Sequence, residues 1–452
     1  MFILSNNEKK VTGGVANASF SYGSKGWGIL IFSMIVYFTC CFLANDGMNI
    51  YAPVVIENFA WDSGMVYTLN TIAGWVAVPI AFVFSWIMTK SSKVCIIVSL
   101  ICGAIGCFWF GFMQNMWEMF LIMLLFQIVF NGAVFMGTSN LIANWFPTRK
   151  GTAMGWATIG ASLNTTFNPT IWTALAAALG AGFVGLGGTF RIWGIILVVL
   201  IVVCLIIKNN PEEAGAWPDN DRSVPIEVAK RNRELGYLYK KTSPWTVGRL
   251  FKCKQMWIIC IASGVIMMIT TGIISNFVSI VMTYGFTPNQ ALLVMAVASA
   301  IGAAFSVFWG RVDALKGTKW ACIVFYIIMA IALVLLMIPS KVTMFIGCVF
   351  VGCSLGAGNN LMASMTGTVF GRYDFDKAWG VIYPIHVVIR SAGFALVGFL
   401  SATTGTFRVP FALMIAFSII AILVVSRLKD EMIGRVTVSE EDLAAAQAAM
   451  NK

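Results

Sequence analysis

The stretch Arg149-Lys-Gly-Thr-Ala-Met-Gly155 has a counterpart in Asp376-Lys-Ala-Trp-Gly380, with the two final glycines 225 residues apart. A second pair repeats the pattern, because Asn49-Ile-Tyr-Ala-Pro53 runs on to Phe59 as Asn276-Phe-Val-Ser-Ile280 runs on to Phe286. These offsets are close to half of the 452 residues. Two tandem apolar halves around a central site are the usual plan of secondary transporters. The repeat therefore predicts a transporter.

Composition indicates a membrane protein. Hydrophobic residues make up 59% of the chain and charged residues 11%, whereas charged residues are about a quarter of a soluble domain. Lipid supplies no partners for backbone groups, so apolar segments of roughly 20 residues are expected to cross the bilayer as helices. We predict an all-α polytopic fold with twelve transmembrane helices in two pseudo-symmetric six-helix halves, over residues 27–56, 64–89, 93–113, 117–145, 151–178, 188–207, 256–284, 290–312, 318–339, 342–370, 378–403 and 407–426, numbered spans 1 to 12.

The basic residues predict the orientation, since short cytoplasmic loops retain Lys and Arg. Placing both termini in the cytoplasm puts 26 of the 30 basic residues on that side, which predicts a multi-pass protein of the cell membrane. The net charge of +11 is then a topology signal, because no soluble segment is large enough to bind nucleic acid. The predicted division is a cytoplasmic tail 1–26, a first half 27–207, a cytoplasmic linker 208–255, a second half 256–427 and a cytoplasmic tail 428–452.

Cysteine and histidine usage argues against a metal site or a cofactor. The eleven cysteines are scattered and include no Cys-x-x-Cys pair, and there is one histidine. Helix packing is the expected role of buried cysteines, and a site with several histidines is impossible. We predict no cofactor, no metal and a monomeric chain.

Two stretches of the chain resemble a known family. Tyr51-Ala-Pro-Val-Val-Ile-Glu-Asn-Phe-Ala-Trp-Asp-Ser63 and Asn144-Trp-Phe-Pro-Thr-Arg-Lys-Gly-Thr-Ala-Met-Gly155 are similar to the end of helix one and the loop into helix five in the major facilitator superfamily. Within it, they resemble the branch of oxalate/formate antiporters and monocarboxylate transporters. A looser overall likeness to bile-acid uptake permeases makes bile acid the most specific substrate hypothesis.

The resemblance also implies a gate. Gly310-Arg-Val-Asp313 with Gly317 and Lys319 resembles a stretched form of the superfamily's gating motif. The equivalent loop of the first half, Ser85–Lys93 after span 2, lacks both the aspartate and the glycine. Arg149 and Lys150, in the loop into span 5, are the other residues predicted for gating. In that role Asp313 would form charge-assisted bonds that break and re-form as the halves rock. The alternative is a helix-ending loop whose charges lie in water.

Span 11 contains the charges most relevant to function. His386 and Arg390 are four residues apart, so they share one helical face, and Arg390 lies about 18 Å from the span's start. A guanidinium matches a carboxylate in charge and bidentate geometry. The resemblance implies a Tyr-x-x-Lys stretch in helix eleven, whose lysine binds substrate. Tyr383 stands at the position of its tyrosine, and His386 replaces its lysine. We therefore predict Arg390, His386 and Tyr383 as substrate-binding, with an Arg390–Asp46 ion pair and packing of His386 as alternatives.

Asp46 and a set of amides complete the predicted site. Asp46 lies about two thirds along span 1 and could carry a proton, as could His386, or it could simply be hydrated. Amides in spans 4, 5 and 10 could line a shared cavity, although hydrogen bonds between helices explain each one equally well. The amides predicted to bind substrate are Asn131, Asn164 and Asn359.

We therefore expect a secondary transporter of an organic carboxylate, with the proton as coupling ion and the lipid bilayer as its surroundings. An oxalate/formate-type or monocarboxylate exchanger is the alternative, and a receptor or channel is an alternative of another class. An enzyme is not expected. Gly352-Cys-Ser-Leu-Gly356 matches the nucleophile pattern of hydrolases, but it lies inside an apolar helix without the required turn.

Overall fold

The chain folds entirely into helices and their connections. A computed structural model describes residues 22–61, 63–223 and 225–434, apart from some individual side chains, and this part contains no β-strand. Residues 1–21 of the predicted N-terminal tail and 435–452 of the predicted C-terminal tail lie outside it. The predicted fold class is confirmed, as an all-α polytopic membrane protein.

The predicted spans correspond to long helices, some of them interrupted. Ten helices of the described residues are long and apolar enough to cross a membrane. One of these, Lys341–Thr404, changes direction at Gly371 (φ 70°) and comprises spans 10 and 11, and the more polar Lys150–Leu179 provides span 5. The other helices of the spans are Gly23–Cys41, Phe42–Asp46 and Met48–Phe59 (span 1), Ser63–Lys90 (span 2), Ser92–Phe110 (span 3), Met116–Val129, Phe130–Thr138 and Ser139–Trp145 (span 4), Gly182–Ile206 (span 6), Lys254–Ser275 and Phe277–Met282 (span 7), Pro288–Lys316 (span 8), Thr318–Met337 (span 9) and Arg408–Val425 (span 12). Between spans 6 and 7 the chain forms the short 3-10 helices Pro211–Ala214 and Pro218–Asn220 and the helices Ile226–Thr242 and Val247–Lys252.

The first helix of each half is interrupted along its length. In span 1 the turn Phe42–Asp46 is π-helical and is followed by Gly47, whose added Cβ would lie 2.7 Å from the Phe42 carbonyl oxygen. In span 7 the interruption falls at Asn276, with φ of −115°. Interrupted helices free backbone groups for a binding site. Both interruptions fall where the repeated sequence begins or just before it.

An aromatic cluster in the first half holds the interruption of span 1 in place. The ring of Phe42 stacks on Trp172 of span 5 at 4.4 Å, and Trp172 meets Phe190 of span 6 edge-on at 4.6 Å. Such pairs contribute roughly 0.5–1.5 kcal/mol each beyond the area they bury. The cluster fixes the start of the Phe42–Asp46 turn and so positions Asp46.

Small residues bring the two halves into backbone contact on one face of the molecule. Spans 5 and 8 approach so closely that a Cβ added to Gly155 would lie 2.7 Å from the Ser306 carbonyl oxygen, and one added to Gly310 would lie 2.6 Å from that of Gly151. The hydroxyl of Ser306 donates to the Gly155 carbonyl at 2.7 Å. Glycine allows this approach, and the contact closes the halves together on this face.

The connecting segment, residues 207–253, covers the same face and binds both halves. The buried carboxylate of Asp219 accepts bonds from the backbone N–H groups of Thr148 and Arg149, at 3.1 and 3.2 Å, in the first half. Glu212 forms an ion pair of 3.1 Å with Arg372 of the second half. Burial raises the pKa of the Asp219 carboxyl despite these donors. The segment thus ties the halves together in the conformation described.

A valine at position 155 is expected to prevent this closure. The branched side chain has no room beside the Ser306 carbonyl, so we expect uptake to fall at least about tenfold and hydrogen–deuterium exchange to rise in peptides that cover residues 146–155 and 306–316. Gly28→Val is the matched control, because Gly28 is also helical but has no atom within 4 Å of an added Cβ. Equal exchange in the two variants would contradict the closing role of Gly155.

Candidate functional site

A cavity of about 100 Å³ lies between the two halves. Spans 1, 4 and 5 form its wall in the first half, and spans 7, 8 and 10 form its wall in the second. The wall is mostly apolar, with Asn45, Asp46, Asn164, Thr165 and Ser299 among its polar residues. Ligand pockets usually enclose roughly 300–1,000 Å³, so this cavity is contracted in the conformation described.

Asp46 faces the cavity from the interrupted part of span 1 and is bonded to span 5. Its carboxylate accepts a bond from the Thr165 hydroxyl at 2.9 Å and another from the Asn164 amide. Asn164 is fixed in turn by Asn168, whose amide donates to the Asn164 oxygen at 2.7 Å. Two residues predicted from sequence, Asp46 and Asn164, are thus brought into contact. Asp46 reaches this position because the π-helical turn rotates the chain ahead of Gly47.

Arg390 is buried, 1% exposed, and its charge is not neutralised by any described residue. No carboxylate of the described residues lies within 4.0 Å of its guanidinium, and its Nε has no hydrogen-bond partner there. The alternative ion pair with Asp46 is therefore not formed. The guanidinium carbon lies 4.9 Å from the centre of the Phe130 ring, and this ring lines the cavity. Arg390 accordingly lies beside the cavity wall.

Tyr383 joins the halves next to this arginine. Its hydroxyl donates to the Asn131 side-chain oxygen of span 4 at 2.7 Å, and its ring stacks on Phe135 at 5.7 Å. One turn away, the indole N–H of Trp379 donates to the Phe135 carbonyl at 3.1 Å. The predicted residues Tyr383 and Asn131 therefore form one contact between spans 11 and 4.

His386 lies against Tyr383 with one ring nitrogen bonded and the other unsatisfied. Nδ1 is 2.9 Å from the Tyr383 carbonyl oxygen. Because a carbonyl only accepts, Nδ1 carries the proton and Nε2 bears the lone pair in the neutral ring. Nε2 is buried and has no partner among the described residues. The ring is thus oriented to accept one further hydrogen bond.

A π-helical stretch in span 4 presents several of these groups together. Phe130–Thr138 is π-helical, and such distortions in helices occur frequently at functional sites. The stretch starts at the Arg390-facing Phe130 and includes Asn131, whose Nδ2 is buried without a partner in the described part of the chain. Within this stretch Phe130 and Phe135 both line the cavity, and Asn131 binds Tyr383.

The residues predicted for gating lie on the face covered by the connecting segment. Asp313 is buried near the end of Pro288–Lys316 rather than in a loop, and it accepts bonds from the hydroxyls of Thr318 and Ser364. An added Cβ at Gly151, next to Lys150, would contact its carboxylate. The Arg149 N–H bonds Asp219 of the connecting segment. Their role as a gate remains a prediction.

One predicted residue cannot be placed, and others were missed. The side chain of Asn359 lies outside the described residues. Phe130 and Thr165 were not predicted from the sequence, although each is adjacent to a predicted amide, Asn131 or Asn164 respectively. Their position next to a predicted amide was the signal in the sequence that could have identified them.

Comparison with known proteins identifies the architecture. A family model described as Major Facilitator Superfamily matches residues 34–313 and 259–443. The structure of the proton:xylose symporter XylE bound to 6-bromo-6-deoxy-D-glucose is similar, with a TM-score of 0.73, 13% identity, and coverage of 94% of this chain and 99% of that chain. The human organic anion transporter MFSD10 (TETRAN) gives a TM-score of 0.65, 10% identity, and coverage of 89% and 99%. No curated protein sequence matches the chain.

Proposed function

The chain belongs to the Major Facilitator Superfamily, and from this premise we propose that it moves an organic carboxylate anion across the membrane by proton symport. The membership makes it a secondary transporter and not an enzyme. The nature of the substrate, the proton coupling and the orientation are the parts that we propose. They are argued from the charges beside the central cavity.

The uncompensated charge of Arg390 is the observation that carries the proposal. A charged side chain inside a membrane costs roughly 3 kcal/mol on insertion scales, and Arg390 has no carboxylate within 4.0 Å among the described residues. A substrate carboxylate can supply the counter-charge, because it matches the guanidinium fork in bidentate geometry. The resemblance to carriers of small carboxylates points to the same chemical class.

Asp46 is the group that we propose to carry the coupling proton. Asp46 lines the cavity. When its carboxyl is protonated and a singly charged substrate anion is paired with Arg390, these groups together carry no net charge. His386 is the second candidate, because its free Nε2 is oriented to accept a bond. A monoanion that enters with one proton moves no net charge, so uptake would depend on the pH difference across the membrane and not on the membrane potential.

Bile acid remains the most specific substrate hypothesis, and a small monocarboxylate is the alternative. The apolar wall, which includes Phe130, Met267 and Leu355, suits an amphipathic anion. The volume of about 100 Å³ favours a smaller molecule in the conformation described. Binding of a steroid would require the halves to separate around it.

The orientation that we propose places the connecting segment and both termini in the cytoplasm. The cluster of basic side chains on that face supports it by the positive-inside rule. Asp313, with Lys150 and Arg149, would then hold the cytoplasmic ends of the halves together when the cavity opens outward.

Uptake into proteoliposomes tests the proposal. Labelled bile acid, oxalate, formate and lactate would be supplied with an imposed inward proton gradient, and then with unlabelled anion inside and no gradient. Accumulation of one carboxylate that requires the gradient supports symport. Exchange that is independent of the gradient would support the oxalate/formate-type exchanger, and transport of neutral solutes alone would refute an anion carrier.

A further inference from the structure

We propose that the second half contains a separate anion-binding site, on the face opposite the connecting segment, which takes a carboxylate or phosphate group. A cavity of about 590 Å³ opens there between the ends of spans 7, 9 and 11 and the starts of spans 10 and 12. Its wall includes Lys341 and Arg408. The volume lies within the range of roughly 300–1,000 Å³ that ligand pockets occupy.

The charge distribution of the second half makes this cavity positive. Within residues 254–434, which the structure describes, the carboxylates are Asp313, Asp374, Asp376, Asp430 and Glu431, and all five lie at the opposite ends of the helices. Neither Lys341 nor Arg408 has a carboxylate within 4.0 Å in the described residues. Two cations therefore line one cavity without a protein counter-charge.

Two helix starts add to the same field. Span 10 begins at Lys341 and span 12 begins at Arg408, and neither helix has a side-chain cap at its N-terminus. Each helix start carries the equivalent of about half a positive charge, and its first N–H groups point outward as donors. The Arg408 N–H already donates to the Thr406 hydroxyl at 3.2 Å. The backbone N–H groups at the start of span 10 are therefore more available to an anion than those at the start of span 12.

Neighbouring groups shape the cavity without neutralising it. The ammonium of Lys341 lies 5.1 Å from the centre of the Phe286 ring, which orients the side chain while leaving its charge intact. The Tyr284 hydroxyl is bonded to the Leu336 carbonyl and fixes the wall. Thr283 and Ser401 also line the cavity, and their hydroxyls donate to the backbone carbonyls of Ile280 and Gly398 at 2.6 and 3.1 Å.

This site is distinct from the central cavity. Gly405 directly follows the end of the helix that carries Arg390 and lies 15 residues beyond that arginine, which corresponds to about 22 Å along the helix axis. None of the residues that line one cavity lines the other. The proposal therefore does not depend on the substrate proposed for Arg390.

The anion could be a free carboxylate or phosphate, or the phosphate of a lipid headgroup, since both present the same oxygens. Two arms of one experiment separate these sources. The first measures binding of inorganic phosphate and of acetate by isothermal titration in detergent free of phospholipid. The second measures retention of phosphatidylglycerol against phosphatidylcholine by native mass spectrometry of protein from nanodiscs of each lipid.

All proteins in the test carry Arg390→Gln, so that the central cation does not contribute. The test variant adds Lys341→Gln with Arg408→Gln, and the charge-matched control adds Arg311→Gln with Lys316→Gln, exposed cations of the opposite face. We expect the test pair to weaken anion binding at least about tenfold, with the control unchanged. Charge-conserving Lys341→Arg with Arg408→Lys should restore binding, which separates lost charge from misfolding.

Each outcome decides the proposal. Loss of phosphate or acetate binding in the test variant identifies a site for free anions. Loss confined to phosphatidylglycerol retention identifies a lipid headgroup site. Equal behaviour of test and control variants in both arms would overturn the proposal.

Discussion

Transport of the anionic substrate is expected to fall at least about a hundredfold when Arg390 is replaced by glutamine. Removal of one partner from a buried charge pair costs roughly 3–5 kcal/mol, and each 1.4 kcal/mol is about tenfold in affinity. The loss should appear in initial rates of uptake into proteoliposomes at low substrate concentration. Arg191→Gln is the matched control, since it removes an exposed arginine that lies over the Phe112 ring, outside the central cavity.

Stability measurements distinguish this role from a structural one. Arg390 has no carboxylate partner in the described residues, so glutamine removes an uncompensated charge and should leave the melting temperature equal or higher. A structural arginine would instead be needed for folding, and its loss would lower the melting temperature. Retained uptake, or a large fall in melting temperature with the lost uptake, would contradict the anion-site assignment.

Phe130 explains in part how an arginine can remain buried at this position. The aromatic face stabilises the cation by about 0.5–2 kcal/mol, which offsets part of the cost of burial. Because the same ring lines the cavity, a bound carboxylate would approach Arg390 at the edge of Phe130 or displace the ring. The arginine is thus kept charged and available without a competing protein carboxylate.

The helices and their arrangement in two halves could be predicted because apolar length and the internal repeat are properties of the sequence alone. The interruption of span 1 and the π-helical stretch in span 4 could not. Both depend on packing between helices, as when Phe42 stacks on Trp172. A regular period of 3.6 residues predicts the wrong faces across Phe130–Thr138.

The partners of the charged residues also depend on tertiary packing. Asp46 and Arg390 are 344 positions apart, and the sequence left open whether they pair. In the structure Asp46 turns to Asn164 and Thr165 of its own half, while Arg390 lies against Phe130. The residue types indicated the chemistry, and the packing of spans 1, 4, 5 and 11 determined which groups meet.

Replacement of Asp46 by asparagine is expected to abolish accumulation driven by the proton gradient while exchange of labelled for unlabelled anion continues. Asparagine keeps an oxygen that can accept from the Thr165 hydroxyl, now 2.9 Å from the carboxylate, so the local packing should persist. It cannot bind or release a proton at neutral pH. The measurement is the ratio of gradient-driven uptake to counterflow exchange in the same proteoliposomes.

Asp219→Asn is the matched control for Asp46→Asn. Both carboxylates are buried, with 7% of Asp46 and 6% of Asp219 exposed, and both accept bonds from protein donors. Asp219 lies in the connecting segment, away from the cavity, so its replacement should lower stability or overall rate but leave the ratio unchanged. If Asp46→Asn still accumulates substrate against a gradient, the proton travels with another group, and the free Nε2 of His386 becomes the first to test. If Asp46→Asn loses exchange as well, the carboxylate is needed for the movement of the halves rather than for coupling.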